Sequence, residues 1–322
     1  MVDVRRLKVL CEVARRGSFS AAAASLGYTQ PAISRQVALL EAELGTVLVR
    51  RLPQGVALTD AGRVLVARGE AILGQLDDLE LEVGALAGLE GGRLRFAAFS
   101  SACASIVPRV IARFRERYPA IELAVTMSDP AESLPRLRNG EVDLVLTNDG
   151  CAELALDGDT VTLVDQPGPM DLVHLFDEPM YLALPRDHPR ADAEQLALED
   201  FAAEPWLSAL PGACPDAKLL AQACHAAGFE PRIVFQNNDY SVLLGFVAAG
   251  VGVALIPDMA ARRVRDDVVV RALVPPPPSR SILAAFPPGY RSPAAAAMFS
   301  VLTEVGEEWL ADRPEPVVAA GG

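Results

Sequence analysis

The chain has 322 residues, of which 51% are hydrophobic and 22% are charged, and its formal net charge is −13. This length exceeds one small domain and accommodates two or three, and the hydrophobic content excludes a chain that is disordered throughout. No basic-then-apolar segment opens the sequence, and the longest apolar run, residues 242–257, is interrupted by glycines. We therefore expect a soluble cytoplasmic protein without an export signal or a membrane span.

The charge is unevenly distributed along the chain. Residues 1–66 contain nine Arg and Lys residues against five Asp and Glu residues, a balance of +4, which leaves −17 for the remainder. Nucleic-acid affinity requires a local basic face rather than a basic protein. The first fifth of the chain is therefore the candidate for contact with nucleic acid, and the acidic remainder would limit non-specific binding elsewhere.

The N-terminal segment predicts three short helices. Gly17 is a stop signal for the first helix, and Ser18 suits the N-cap of a second, Ala-rich helix that ends near Gly27. Thr29 or Gln30 begins the third helix, with a proline at its favoured first position. On that helix one apolar stripe is expected to face the core, namely Ile33, Val37, Leu40 and Leu44.

The opposite side of the third helix is small and polar, and it consists of Pro31, Ser34, Arg35 and Ala38. Such a helix end suits insertion into the major groove of DNA, whereas an ordinary solvated face would normally carry long charged side chains. Residues 46–58 then alternate between apolar and polar side chains around a Pro53-Gln54-Gly55 turn, which predicts a hairpin. Arg50 and Arg51 lie on this hairpin, where a wing would touch phosphates.

A long helix is predicted from Thr59 to about residue 88. Its apolar residues follow a heptad spacing over four repeats: Leu65, Ile72, Leu76, Leu79, Val83 and Leu86. The pattern is typical of a coiled-coil seam and predicts a dimer. The alternative is a long helix that packs on the core of its own chain.

Beyond the glycines at 88, 91 and 92 the pattern changes to alternating strands and helices. Strands are predicted at 93–99, 121–127, 142–147, 180–184, 232–236, 253–256, 268–274 and 281–286, and helices at 103–118, 131–139, 216–227, 240–249 and 293–312. This is an α/β arrangement with largely parallel sheets in two lobes. Residues 149–171 are expected to form either a surface loop or a crossover between lobes, and residues 275–278, four prolines, a stiff connector.

The residues quoted so far resemble the LysR-type transcriptional regulators. The match runs from Leu7 to Gly62 without a gap and includes the Ser-Phe start of helix two, Gln30-Pro31-Ala32-x-Ser34-Arg35, Leu39-x-Glu41-x-x-Leu44-Gly45 and Leu58-Thr59-x-x-Gly62. It continues more weakly at 114–119, 188–189, 205–206 and 250–252. Two positions depart from the family pattern, since Val49 stands where Phe is preferred and Gln54 where a wing-tip Arg is common.

The resemblance implies a winged helix-turn-helix over residues 1–58, a dimerisation helix over 59–90, and an effector domain over 91–312 that is shaped like a type 2 periplasmic binding protein. We expect its lobes at 91–163 plus 267–312 and at 164–266, and a disordered tail at 313–322. The expected partners are double-stranded promoter DNA, a second copy in a dimer or dimer of dimers, and a small-molecule effector, with RNA polymerase as a further candidate. The implied DNA contacts are Ser18, Thr29, Gln30, Pro31, Ser34, Arg35, Arg50 and Arg51.

Side chains at the ends of the predicted strands are candidates for contact with the effector. Ser100 and Ser101 follow the first strand and begin a helix, where free backbone N–H groups and two hydroxyls would suit a carboxylate. In the resembling family this turn lines the effector cleft. The remaining candidates are Thr126, Ser128, Thr147, Asn148, Trp206 and Ser208. The alternative is that the serines only cap helices.

The sequence offers three alternative functions: a redox sensor, an enzyme and a solute-binding protein. The chain has five cysteines, an odd number, and no two of them form a CxxC pair. This argues against a disulfide framework and against a zinc site. We expect no metal and no cofactor. Cys214 and Cys224 resemble the cysteine pair of peroxide-sensing family members and form an alternative thiol redox sensor, although inert buried cysteine is the commoner case. The chain has only three histidines and no nucleophile or phosphate-loop motif, which argues against an enzyme. The basic N-terminal segment argues against a solute-binding protein.

Overall fold

The computed structural model describes the following residues: 2–52, 55–86, 92–149, 154–157, 160–163, 170–193, 196–211, 216–262, 264–277, 279–289 and 291–312. The chain divides into two compact units. We call residues 2–86 the head and the unit that begins at residue 92 the body, and each is described by itself. None of the helices in the described part of the chain has the length and hydrophobicity needed to cross a bilayer.

The head consists of four helices and one hairpin. Its elements are α1 (Val4–Arg16), α2 (Phe19–Leu26), α3 (Gln30–Leu44), β1 (Val49–Leu52), β2 (Gly55–Leu58) and α4 (Asp60–Leu86). Gly17, Gly27 and Gly45 end the first three helices in the left-handed conformation, which glycine adopts without steric cost. Buried side chains of α1, α2 and α3 form one apolar core around Leu10, Ile33 and Leu40.

The hairpin is held against the helices at several points. Glu41 Oε1 accepts hydrogen bonds from the backbone N–H groups of Leu48 (2.8 Å) and Val49 (3.2 Å), which joins α3 to β1. A Cβ atom at Gly62 would lie 2.1 Å from the Leu48 carbonyl oxygen, so only glycine permits this approach of α4. The motif residues Glu41 and Gly62 therefore fix the hairpin in place.

Two expectations for the head need correction. Leu44 is 39% exposed, so the buried stripe of α3 consists of Ile33, Val37 and Leu40 only. Leu44 lies in the last turn of α3, beyond the part that packs on α1 and α2. Leu65 packs against the head core instead of lying on an exposed seam, because α4 contacts α1 along its first turns.

The body contains two five-stranded sheets and a separate hairpin. The first sheet has the order β4-β3-β5-β14-β8, and the second β11-β10-β12-β9-β13. The strands are β3 (Gly92–Ala98), β4 (Ile121–Met127), β5 (Leu144–Asn148), β6 (Leu154–Asp157), β7 (Thr160–Leu163), β8 (Asp171–Glu178), β9 (Met180–Pro185), β10 (Pro205–Ser208), β11 (Arg232–Gln236), β12 (Val253–Pro257), β13 (Val268–Arg271) and β14 (Arg280–Phe286). The helices are α5 (Ser100–Ala104), α6 (Val107–Arg117), α7 (Pro130–Arg138), α8 (Asp216–Ala226), α9 (Tyr240–Ala248), α10 (Asp258–Ala261) and α11 (Pro293–Ala311).

Each sheet is the core of one lobe, and the sheets are mixed rather than largely parallel. In each of them two strand pairs are parallel and two antiparallel. The chain passes from the first lobe to the second at Pro179, between β8 and β9, and returns between β13 and β14. The expected lobe boundaries are therefore wrong at both crossings, since β8 belongs to the first lobe and β13 to the second.

Two local predictions in the body also differ from the structure. The helix expected at 103–118 is broken into α5 and α6, because Pro108 lies in the first turn of α6 and lacks the N–H that a continuous helix needs. The connection expected at 149–171 contains the β6–β7 hairpin. The predicted disordered tail at 313–322 lies outside the described residues.

Candidate functional site

The N-terminal end of α3 forms an exposed polar surface on the head. Pro31, Arg35 and Ala38 are exposed, and Gln30 and Ser34 are half-buried beside them. Thr29 is the N-cap residue, and its side chain makes no capping hydrogen bond. Ser18, by contrast, caps α2 by accepting a hydrogen bond from the Ala21 N–H group. The residues predicted to contact DNA on α3 thus share one end and one face of this helix.

Four arginines of the head form ion pairs within the part of the chain that the structure describes, whereas Arg35 does not. Arg15 and Arg16 pair with Glu12, Arg6 pairs with Glu43, and Arg63 pairs with Asp60. Arg35 belongs to none of the ion pairs in the described part of the head. Its guanidinium group is therefore available to a base edge or a phosphate.

The wing is present as the β1–β2 hairpin, in which Arg50 pairs with Ala57 and Arg51 with Val56. Arg50 is exposed. Val49, which departs from the family pattern, is half-buried and packs against the head core. The wing-tip residues 53 and 54 lie outside the described residues, as does the side chain of Arg51.

The predicted seam on α4 is exposed over its middle turns. Ile72, Leu76 and Leu79 are 47%, 36% and 54% exposed, and their spacing of four and three residues puts them on one face. Three neighbouring apolar side chains exposed on one helix indicate a surface that a partner covers. The side chains of Val83 and Leu86 lie outside the described residues.

The two lobes of the body face each other with the carboxyl ends of their parallel strands. Ser101, Ser128 and Asn148 follow or end β3, β4 and β5 of the first lobe, and Ser208 ends β10 of the second. Asn238, after β11, donates a hydrogen bond of 2.6 Å to Asp129, after β4, and so joins the two edges. Ser101, Ser128, Thr147, Asn148 and Ser208 thus lie at or just after the ends of these strands, and all five are buried.

Two predicted effector residues do not fit this cleft. Trp206 is fully buried in the core of the second lobe, where its Nε1–H group donates to the Phe201 carbonyl oxygen. Thr126 is exposed on β4, an edge strand of the first sheet. We exclude Trp206 from the site because its indole ring has no surface to offer to a ligand.

A buried ion cluster joins the lobes beneath the cleft, and we call it the hinge cluster: Ser101, Glu178, Asp216, Tyr240 and Arg280. The Arg280 guanidinium group donates to Glu178 (2.8 Å), to Asp216 (2.7 Å) and to Ser101 Oγ (2.8 Å). The Tyr240 hydroxyl donates to Asp216 Oδ2 (2.6 Å). Arg280 and Glu178 lie at the chain crossings, whereas Asp216 and Tyr240 belong to the second lobe.

Burial and charge act against each other in the hinge cluster. Burial by itself would lower the pKa of Arg280, but the carboxylates of Asp216 and Glu178 raise it, so this arginine stays charged. Burial raises the pKa of Glu178 despite the neighbouring guanidinium group. The cluster is thus a strongly desolvated set of charges in which each partner depends on the others.

Sequence reasoning missed the hinge cluster except for Ser101. Its members are separated by up to 179 residues along the chain, so no local spacing reveals them. One signal was present, since Arg280 lies just before the apolar run at 282–286. A charged residue at the start of a largely apolar strand is unusual unless it is paired.

The cysteines show no arrangement of a thiol sensor in the described residues. Cys224 is fully buried in the core of the second lobe, and burial raises the pKa of its thiol to about 12. Burial also raises the pKa of Cys103 to about 11. Cys214 lies outside the described residues. Among the residues that are described, no group of His, Cys, Asp and Glu side chains is arranged to hold a metal ion.

Two family models match the chain. The first, described as “Bacterial regulatory helix-turn-helix protein, lysR family”, covers residues 4–63, and the second, described as “LysR substrate binding domain”, covers residues 87–307. Among curated proteins, the chain is 30% identical over 293 residues to the DNA-binding transcriptional dual regulator OxyR of Escherichia coli, covering 89% of this chain and 90% of that protein. It is 28% identical over 274 residues to the HTH-type transcriptional regulator AlsR of Bacillus subtilis, covering 84% and 86%.

Solved structures agree in fold over nearly the whole chain. Full-length CbnR complexed with its target DNA is 25% identical, with a TM-score of 0.69, and the match covers 94% of this chain and 99% of that one. A full-length OxyR variant of Pseudomonas aeruginosa has a TM-score of 0.66 at 22% identity, with 95% of each chain covered. The second likeness concerns the fold alone.

Proposed function

Because this chain belongs to the LysR family of DNA-binding transcriptional regulators, we propose that it contacts promoter DNA through the N-terminal end of α3 and responds to a small molecule bound in the cleft of the body. The observation that carries the first part is the exposed face of α3, where small side chains surround Arg35, which forms no ion pair within the described part of the head. The CbnR structure with its target DNA supports a DNA-bound role for this type of head.

The contacts divide into two kinds. On α3, Gln30, Ser34 and Arg35 would reach base edges in the major groove, and Thr29, Pro31 and Ser18 would approach the backbone at the helix entrance. On the wing, Arg50 and Arg51 would bind phosphates. Base contacts set specificity, whereas phosphate contacts set affinity and its dependence on salt.

The seam of α4 supports a dimer. Exposed Ile72, Leu76 and Leu79 would pack against the same residues of a second copy. A dimer places two heads on two half-sites, and the spacing between half-sites is then a geometric property of the dimer. A ligand between the lobes would act by changing the arrangement of subunits and hence this spacing.

Thiol redox sensing through Cys214 and Cys224 is the second candidate for the signal, and the 30% identity to OxyR favours it. A reactive cysteine needs an accessible thiolate, and Cys224 has a buried thiol with a raised pKa. Small-molecule binding is therefore the better supported signal for this chain.

The test compares Arg35→Ala with the parent in fluorescence anisotropy on DNA from upstream of its own gene. Loss of a base contact costs about 1–3 kcal/mol, so we expect roughly 5- to 150-fold weaker binding. Arg115→Ala, which removes another exposed arginine, from α6 of the body, is the matched control and should bind as the parent does. Unchanged binding by Arg35→Ala would refute the assignment of α3, provided that both variants keep the parent's oligomeric state.

A further inference from the structure

The hinge cluster contains a carboxylate oxygen without a hydrogen-bond donor. Asp216 is 5% exposed, and its Oδ2 atom accepts from both Arg280 and Tyr240. Its Oδ1 atom is buried, and no donor reaches it from the residues that the structure describes. Buried carboxylate oxygens are normally hydrogen-bonded, because an unpaired one keeps the full cost of its removal from water.

The position of this oxygen connects it with the cleft. Asp216 is the first residue of α8 in the second lobe, and Arg280 links it directly to Ser101, which follows β3 at the edge of the first lobe. One guanidinium group therefore separates the unpaired carboxylate from the row of polar side chains at the strand ends. Asp216 is thus connected to the strand ends of the first lobe through a single hydrogen-bonded residue, Arg280.

The charge of the hinge cluster is unfavourable for an anion. One arginine faces two carboxylates, and burial raises the pKa of Glu178. Arg280 already donates to three side chains, which leaves its charge neutralised within the protein. The helix that begins at Ser100 has only five residues and offers a weak dipole. The carboxylate ligand expected from the sequence thus finds no unpaired cation in this cluster.

We propose that the ligand of the cleft carries a positively charged nitrogen with N–H donors, such as an ammonium or amidinium group, and that Asp216 Oδ1 binds it. The ligand nitrogen and Arg280 then share the Asp216 carboxylate, one on each oxygen, which completes the hydrogen bonding of a buried charge. This inference rests on the proposed function, because it takes the cleft as the effector site.

The test measures thermal unfolding of the full-length protein with two sets of probes at equal ionic strength. One set contains primary amines from methylamine to cadaverine, and the other contains carboxylates from acetate to glutarate. We expect at least one amine to raise the unfolding midpoint of the body by about 2–4 °C at saturating concentration, and the carboxylates to leave it unchanged. Stabilisation by carboxylates alone would overturn the inference.

Three variants distinguish recognition of the amine by Asp216 from a general effect on the stability of the body. Asp216→Asn keeps the shape and removes the charge, so it should abolish the response to amines. Asp258→Asn is the matched control, because Asp258 is also a buried carboxylate paired with an arginine, Arg262, and this variant should keep the response. Tyr240→Phe removes one donor from Oδ2 and retains the carboxylate, so it should keep or strengthen the response.

The outcomes distinguish this inference from the function on which it rests. An amine response that survives in Asp216→Asn would overturn the inference. A parent that responds to neither set would mean that Oδ1 is only hydrated, and this would overturn it as well. Selective DNA binding, measured on the same samples, would in either case still support the proposed regulator, whereas its loss would remove the proposed function itself.

Discussion

Two buried or half-buried carboxylates organise the head at the scale of single residues. Glu12 lies on α1 and binds the neighbouring Arg15 and Arg16, and Glu41 lies on α3 and binds two backbone N–H groups of the wing. Glu12 therefore pairs with two arginines that would otherwise compete for DNA phosphates, and Glu41 pairs with backbone N–H groups that would otherwise lack an acceptor. Arg35 is left outside these interactions, which is why we assign it to DNA.

Glu12 makes the stability of the head dependent on pH. Hydrogen bonds from Ser25, Arg16 and Arg15 lower the pKa of Glu12 from 4.5 to about 2. A carboxylate with a lowered pKa in the folded state stabilises the protein fully above pH 4.5, and this stabilisation is lost as the pH falls towards 2. As the pH falls over this range, we expect the protection of the α1 amides, corrected for the intrinsic pH dependence of exchange, to decrease more steeply in the parent than in Glu12→Gln. Equal slopes in the two proteins would contradict the role of Glu12.

At the scale of secondary structure, α4 has two different apolar surfaces. Its first turns pack on the head core through Leu65, whereas Ile72, Leu76 and Leu79 are exposed further along. The heptad pattern of the sequence does not distinguish these surfaces, because Leu65 and Ile72 share one register. Only the position of α1 shows where the core contact ends and the exposed seam begins.

The exposed seam of α4 can be tested by charge. A glutamate at Ile72 or Leu79 would put a charge into the apolar seam of both copies, so we expect Ile72→Glu and Leu79→Glu to shift the protein to monomer in light scattering. Ala67→Glu adds the same charge to an exposed position on another face of α4 and should leave the dimer intact. Dimers of unchanged stability in all three variants would refute the seam.

The sequence predicted those elements whose signals are local. Glycines and caps indicated the helices of the head, and the strand at Ile121–Met127 was predicted with its observed bounds. The strand β8 was missed because only Pro179 separates it from β9, although the two strands belong to different sheets. No periodicity within residues 171–185 indicates that the chain changes lobes at that proline.

In the candidate cleft, too, only the residues with a local sequence signal could be predicted. Hydroxyl and amide side chains at the ends of predicted parallel strands are expected to lie near one another, because such ends meet at one edge of a sheet. Arg280 and Glu178 are 102 residues apart and meet only through an antiparallel strand pair of the mixed sheet. Trp206 follows a plausible pattern for a binding residue but packs into a core, which depends on tertiary structure.

The whole molecule has separate cores in its two units. Leu10 is fully buried in the core of the head, and Leu182 is fully buried in the second lobe of the body. Each unit thus has the apolar interior that it needs for its own stability, and the opposite charge balances of the two parts of the sequence fit different roles.

Two matched substitutions test this independence. Leu10→Ala and Leu182→Ala each create a cavity that costs about 2–5 kcal/mol. We expect the first to accelerate hydrogen exchange in the head alone and the second in the body alone, when both are followed by mass spectrometry. Equal acceleration throughout the chain in either variant would mean that the two units unfold as one.

Binding of the full-length protein to DNA from upstream of its own gene decides whether the head recognises a DNA sequence. It is measured by gel shift over a series of salt concentrations and with an unrelated competitor duplex. We predict a complex that survives an excess of the competitor and weakens steeply with salt, since phosphate contacts accompany base recognition. A complex that the unrelated duplex removes as readily as the upstream DNA does would show that the head is only a basic surface, and would contradict the account.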